Sequence, residues 1–121
     1  MPLTVLQYKI DRGLKELAEK LAETLPSIVA PNLSLSERDL HDGKLTPDEI
    51  MVWCRESKKA DQNGKDLEII VFAHDFPERR ENLEARKDTI IEGVRKFLSD
   101  YDRNVTAAVW VLLAPTAYGE I

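Results

Sequence analysis

The chain has 121 residues, 43% hydrophobic and 32% charged, which is the balance of one folded domain and excludes a disordered segment. Its net charge of −5 disfavours a nucleic-acid partner, because phosphate backbones are bound by basic faces. The single Cys54 excludes an internal disulfide, and His41 and His74 lie too far apart for a recognisable zinc spacing, so we expect no metal and no cofactor.

The first half of the chain has the order strand, helix, strand. Residues 2–10 carry the apolar and aromatic side chains typical of a strand. A helical stripe then runs from Leu14 to Leu25 at spacings of three and four residues, and we expect Pro26 to end it. Residues 27–47 are predicted to be a long connection with one short helical turn near residues 32–37. A second strand is predicted at Glu49–Glu56.

The second half repeats this order after a polar turn at Ser57–Lys65. Leu67–Phe76 is nearly all apolar, as in a central strand, and Pro77 ends it. One amphipathic helix is predicted from Glu78 to Leu98, followed by a strand at Val105–Ala114 and a tail over residues 115–121.

This order predicts an α+β fold in which two successive β-α-β units form one domain, residues 1–121, with halves 1–63 and 64–121. Right-handed crossovers place both helices on one face of a four-stranded mixed sheet. The strands are apolar at both sets of alternate positions, so apolar side chains face both sides of the sheet. Ile69 and Val71, for example, alternate with Ile70 and Phe72. The second face is therefore expected to be buried between subunits of an oligomer.

Pro2 is the first candidate for chemistry. If Met1 is removed, Pro2 carries a free secondary amine that is tethered to a strand and can serve as a general base. Arg12 follows the first strand, and Arg79 and Arg80 hold the equivalent place in the second half, so all three are candidates for binding an anion. Arg55 is a further candidate. In the alternative interpretation, Pro2 is an early strand proline and the arginines form surface salt bridges.

Three features give the sequence a likeness to a known family. Met1-Pro2 opens directly onto a strand, Arg12 lies in the following loop, and the chain has the length of two β-α-β units. It resembles the tautomerase superfamily, which includes 4-oxalocrotonate tautomerase, 5-carboxymethyl-2-hydroxymuconate isomerase and macrophage migration inhibitory factor. The segment 80–86 also resembles the start of the isomerase's second helix, although for Arg86 a surface salt bridge is the favoured interpretation. The resemblance implies a homotrimer with Pro2 in a pocket between the sheet and a neighbouring subunit.

The activity implied by this resemblance is keto–enol isomerisation of a small 2-keto or 2-hydroxy-dienoic acid. Pro2 would be the catalytic base, and Arg12, Arg79 and Arg80 would bind the substrate carboxylate. Trp110 and Tyr118 are candidate pocket residues. The expected partner is thus a small anionic substrate, with no nucleic acid and no membrane. The lack of a membrane-length apolar run and of a signal peptide predicts a cytoplasmic protein.

Two other functions stay open at this point. One is a related proline-dependent decarboxylase or hydratase. The sequence shows no clear acidic residue as its water activator, and Asp42, Asp48 and Asp75 stay open for that role. The other is a β-α-β binding module without chemistry. A retained Met1 would make the Pro2 nitrogen an amide without basicity, so the proline mechanism requires its removal.

Overall fold

The computed structural model of the chain describes residues 2–36, 44–101, 104–117 and 119–121. The elements are β1 (Leu3–Tyr8), α1 (Lys15–Leu33), a 3-10 turn (Pro47–Glu49), β2 (Met51–Glu56), β3 (Leu67–His74), α2 (Pro77–Glu81), α3 (Leu83–Ser99) and β4 (Ala107–Ala114). None of the helices in these ranges has the length and apolar character needed to cross a membrane.

The four strands form one mixed sheet in the order β2-β1-β3-β4. β1 runs parallel to β2, and β3 runs parallel to β4, as expected within each β-α-β unit. The two units join through antiparallel pairing of β1 with β3, in which Leu3 lies opposite Phe72 and Tyr8 opposite Leu67. The α+β fold with a four-stranded mixed sheet is therefore confirmed.

Helices α1 and α3 cover one face of this sheet. β1 and β3 bury alternate side chains in a core shared with both helices. The two helices approach closely at Gly93, where an added Cβ would lie 2.8 Å from Cγ2 of Ile28. The strand residues of this core are Thr4, Leu6, Tyr8, Leu67, Ile69, Val71 and Ala73. The period-2 burial along the strands thus fixes which side chains face the helices.

The opposite face, called here the open face, is not covered by the helices. The pairing register brings Leu3, Val5, Ile70 and further apolar residues together on it. Four of its large side chains are 38–54% exposed, namely Trp53, Phe72, Trp110 and Leu112. A contiguous apolar patch of this kind is typical of an interaction surface.

Helix α1 continues past Pro26, where the sequence predicted its end. It runs to Leu33 and contains both Pro26 and Pro31. A proline inside a helix removes a hydrogen bond and costs about 3 kcal/mol. The additional turns bury Val29, Ala30 and Leu33 completely, and each large apolar side chain buried contributes about 1.5–3 kcal/mol. Core packing therefore offsets much of the helix-breaking cost of the two prolines, and the helix continues through both.

Other boundaries differ by less. The strands are up to two residues shorter at an end than predicted, and the second helix is divided at Asn82 into α2 and α3. Because α1 extends to Leu33, it takes up a third of the connection predicted over residues 27–47. Residues 37–43, with the predicted loop residues His41 and Asp42, lie outside the described ranges. Before the 3-10 turn, the Thr46 N–H donates to Oε1 of Glu49 at 3.0 Å.

Candidate functional site

Pro2 lies buried at the start of β1, an interior strand between β2 and β3. Its carbonyl accepts a hydrogen bond from the Met51 N–H, with an N···O distance of 3.0 Å. Because β3 is antiparallel to β1, and α1 returns along the sheet, the ends of α1 and β3 and the start of α2 all lie at this edge. This edge is called here the Pro2 end. From Leu3 onward β1 is paired on both sides, and together with the Met51 bond this pairing restrains the backbone at Pro2.

Arg79 reaches the Pro2 end but is fully buried. Its Nε and Nη2 donate to the carbonyl of Leu33 at 3.0 and 2.9 Å, and its Nη1 donates to the carbonyl of His74 at 3.0 Å. The guanidinium carbon also lies 5.2 Å from the centre of the Phe76 ring. Since Leu33 ends α1, this cation satisfies a terminal carbonyl of the helix and complements its dipole.

Arg80 is the exposed arginine of the predicted pair. Its Nε lies 2.8 Å from Oδ1 of Asp75, and its side chain is 60% exposed. Asp75 directly follows β3, and its N–H donates to the carbonyl of Ala114 at 3.1 Å, which holds the carboxylate at the Pro2 end. Because Arg80 is largely exposed although Asp75 is half-buried, the pair is partly screened by water, and an incoming carboxylate can compete with Asp75 for this guanidinium.

Arg86 is a second buried arginine. It forms the predicted salt bridge, but not at the surface. The partner carboxylate, Glu78, lies 3.1 Å from Nη2, but the Arg86 side chain is only 10% exposed. Its Nη1 also donates to the carbonyls of Asn32 and Ser34 at 2.9 and 3.0 Å. Hydrogen bonds from Ser36, together with Arg86, lower the pKa of Glu78. Arg79 and Arg86 together therefore bind the carbonyl end of α1.

Arg12 lies at the opposite end of β1 from Pro2. Its Nη1 is 3.6 Å from Oδ1 of Asp66, and half of its side chain is exposed. The six residues of β1 span about 20 Å, so Arg12 and Pro2 do not meet within one chain. Asp66 is buried and accepts a hydrogen bond from the Thr106 N–H at 3.0 Å. That bond, with the nearby charge of Arg12, lowers the pKa of Asp66.

The two predicted pocket aromatics, Trp110 and Tyr118, are not found at the Pro2 end among the described residues. Trp110 lies on the open face, where its Nε1 donates to Oε1 of Glu68 at 2.9 Å. It is four residues short of the carboxyl end of β4, in the middle of this edge strand and opposite Ile70. Tyr118 lies outside the described residues. Of the other candidates, Arg55 stacks on Trp53 with its guanidinium carbon 5.0 Å from the ring centre.

His74 at the Pro2 end was not selected from the sequence. It is the last residue of β3, half-buried, and shares the open face with Ile70 and Phe72. Its Nδ1 lies 3.1 Å from Oγ1 of Thr116 and accepts a hydrogen bond from the Thr116 N–H at 3.3 Å. The antiparallel register with β1 puts it at the same edge of the sheet as Pro2, but strand parity places its side chain on the open face and that of Pro2 on the helix-covered face.

A cavity of about 760 Å³ adjoins the carbonyl end of α1. Its lining includes Ala30, Ser34 and Leu35 from one side and Lys44 and Pro47 from the other. Neither Pro2 nor any of the candidate arginines lines this cavity. The residues proposed from the sequence therefore define a different place, at the edge of the sheet itself.

Comparisons with known proteins bear on the fold. No family model matches the chain, and no curated protein matches it. A solved structure of native Ps01740 aligns with 14% identity and a TM-score of 0.56, covering 98% of this chain and 99% of that one. AU4130/APC7354, described as a probable enzyme from the thermophilic fungus Aspergillus fumigatus, aligns with 13% identity and a TM-score of 0.55. That alignment includes all of this chain and 80% of the fungal protein. At these identities the likeness concerns the fold alone.

Proposed function

We propose that this chain is a cytoplasmic tautomerase that uses Pro2, freed by removal of Met1, to isomerise a small 2-keto or 2-hydroxy-dienoic acid. The observation that carries the proposal is the position of Pro2. It is buried at the start of an interior strand, with its carbonyl held by Met51, and its edge of the sheet also holds Arg80. A terminal nitrogen fixed in this way is suited to repeated, directed proton transfer.

The chemistry follows from the amine and the guanidinium. An α-amino group ordinarily titrates near pH 8, and burial disfavours its charged form, which leaves a neutral base near pH 7. This base removes a proton from the carbon beside the substrate carbonyl and returns it at another position. Arg80 is the arginine at the Pro2 end that we assign to the substrate carboxylate, because the guanidinium nitrogens of Arg79 already bind two carbonyls.

Arg12 joins the site only if a second copy supplies it, because the length of β1 separates it from Pro2. The open face supports such an assembly, since Trp53, Phe72 and Trp110 are exposed there in the single chain. Covering this face with other copies of the chain would remove that apolar surface from water. We propose a homotrimer in which each site combines Pro2 and Arg80 of one subunit with Arg12 of a neighbour.

Mixed oligomers test this arrangement. Pro2→Ala and Arg12→Ala subunits, each inactive or weak alone, are unfolded together and refolded as mixtures, with an enol of an aryl 2-keto acid as substrate. Random assembly restores about one quarter of the sites, because each intact site needs an Arg12→Ala subunit beside a Pro2→Ala subunit. Activity that stays at the average of the separate variants contradicts a shared site. If neither single variant loses activity, the catalytic assignment of Pro2 and Arg12 is contradicted. If the unchanged, Met-processed protein has no turnover, the binding module remains.

A further inference from the structure

The loop between β2 and β3 forms a cavity together with the end of β1. The cavity has a volume of about 230 Å³ and lies at the edge of the sheet opposite to the Pro2 end. Because one water occupies about 30 Å³ in the liquid, this space is equivalent to about seven or eight waters. It is called here the lysine cavity, because four of the chain's nine lysines line it, namely Lys9, Lys58, Lys59 and Lys65. An acidic chain thus concentrates positive charge in one small concave place.

Hydrogen bonds tie both ends of this loop to the end of β1. At its start, the Ser57 N–H donates to the carbonyl of Tyr8 at 2.8 Å, and Oγ of Ser57 accepts the Ile10 N–H at 2.9 Å. Near its end, the carbonyl of Gly64 accepts a hydrogen bond from Nζ of Lys9 at 3.3 Å. The lysine cavity therefore has walls that are held in place by the sheet.

Two carboxylates also line the lysine cavity, and both are bound to N–H groups. Oδ2 of Asp61 accepts the Lys58 N–H at 2.8 Å. Oε2 of Glu68 accepts the Lys65 N–H at 2.8 Å, and its Oε1 accepts Nε1–H of Trp110 at 2.9 Å. Among the described residues, no ion pair joins the four lysine ammonium groups to a carboxylate. Four positive charges against two negative ones leave a local surplus of two positive charges.

We propose that the lysine cavity binds the phosphate group of a small, soluble phosphate monoester. Such a group carries a charge close to −2 at pH 7, which matches the local surplus. Lysine binds phosphate as a point charge, whereas the planar fork of arginine is suited to carboxylates. Ser57 adds a hydroxyl donor to the lining. The length of β1, about 20 Å, separates this site from Pro2, so the inference is independent of the proposed isomerase.

Calorimetric titration of the full chain with inorganic phosphate and with glycerol 3-phosphate tests this site. The double variant Lys58→Gln/Lys65→Gln removes two charges from the cavity and keeps Lys9, whose Nζ holds the loop. Lys15→Gln/Lys20→Gln is the matched control, because it removes the same charge from exposed ion pairs on α1. We expect Kd to rise at least about tenfold in the cavity variant, from the loss of charged hydrogen bonds, and to stay within about twofold in the control.

A second readout uses the unchanged protein and does not depend on the folding of a variant. In a ¹⁵N NMR titration with inorganic phosphate, we expect shifts confined to the backbone amides that border the cavity, such as those of Lys58, Gly64 and Lys65. Shifts spread evenly over the surface would overturn the proposal. Pro2→Ala should bind phosphate with unchanged affinity, so this test is separate from that of the isomerase.

Four other results would overturn the proposal. The first is no binding of either phosphate compound at about 10 mM, and the second is an equal rise of Kd in the cavity variant and its control. The third is binding of acetate as tight as that of phosphate, which would remove the assignment to a phosphate group. The fourth is binding to vesicles that contain phosphatidic acid without binding of glycerol 3-phosphate, which would place the phosphate on a membrane.

Discussion

The substitution Arg79→Met tests whether this arginine supports the fold and leaves substrate binding to its neighbour. It removes three hydrogen bonds and leaves the buried carbonyl of Leu33 and the partly buried carbonyl of His74 without their charged donor. Each unsatisfied buried group costs about 1–3 kcal/mol, and breaking one side of a buried charged contact typically costs about 3–5 kcal/mol. Methionine keeps an apolar stem against Phe76, so we expect unfolding free energy to fall by about 3–5 kcal/mol.

The assay is equilibrium urea unfolding followed by tryptophan fluorescence, with protein concentration held constant because an oligomer couples dissociation to unfolding. Arg80→Met is the matched control. Its side chain is 60% exposed and makes one ion pair, with Asp75, so the substitution should lower stability by only about 1 kcal/mol and instead raise KM, as expected for loss of a contact to the substrate carboxylate. The reasoning is refuted if Arg79→Met destabilises the protein no more than Arg80→Met does.

Three further predictions concern the rest of the fold. Asp66→Asn should lower stability at pH 7 by roughly 1.5–3 kcal/mol, because the carboxylate accepts the Thr106 N–H. Since the folded pKa of Asp66 is lowered, this stabilisation is present above the unfolded pKa near 3.9 and is lost as pH falls through the folded pKa. Equal destabilisation at pH 7 and at pH 2 would contradict it. Phe72→Glu on the open face should shift light scattering to monomer, whereas Lys15→Glu on the helix layer should not; an unchanged mass for Phe72→Glu means that another surface forms the oligomer. Pro26→Ala should raise the unfolding free energy by about 1–2 kcal/mol, since it restores a helical hydrogen bond and loses only part of this gain to unfolded-state entropy; a loss of stability would indicate that the proline packs specifically.

The fold was predictable because its signals are local and repeated. The alternation of apolar residues in the strands and the apolar stripe of α1 each indicate which face of the element is buried. Two successive β-α-β units are compatible with few sheet topologies. The end of α1 was not predictable from Pro26, because the outcome depends on core contacts of Val29 and Leu33 that no local pattern reveals. Tertiary burial decided that boundary.

The site was predictable in part. The sequence selected Pro2 and a pair of arginines, but adjacent residues on a short helix differ by about 100° in direction, so only the structure shows that Arg79 is buried and Arg80 exposed. The separation of Arg12 from Pro2 likewise follows from strand direction and length.

The most direct test of the account compares two forms of the same protein that differ in Met1 alone. Intact mass distinguishes the processed form from the form that keeps Met1, and both are assayed across pH with the enol of an aryl 2-keto acid. The account predicts activity in the processed form, rising with pH through an amine pKa below the usual α-amino range, and loss of that activity in Pro2→Ala. It predicts no proline-dependent activity when Met1 is retained. Equal activity in the two forms would place the base elsewhere and contradict the mechanism.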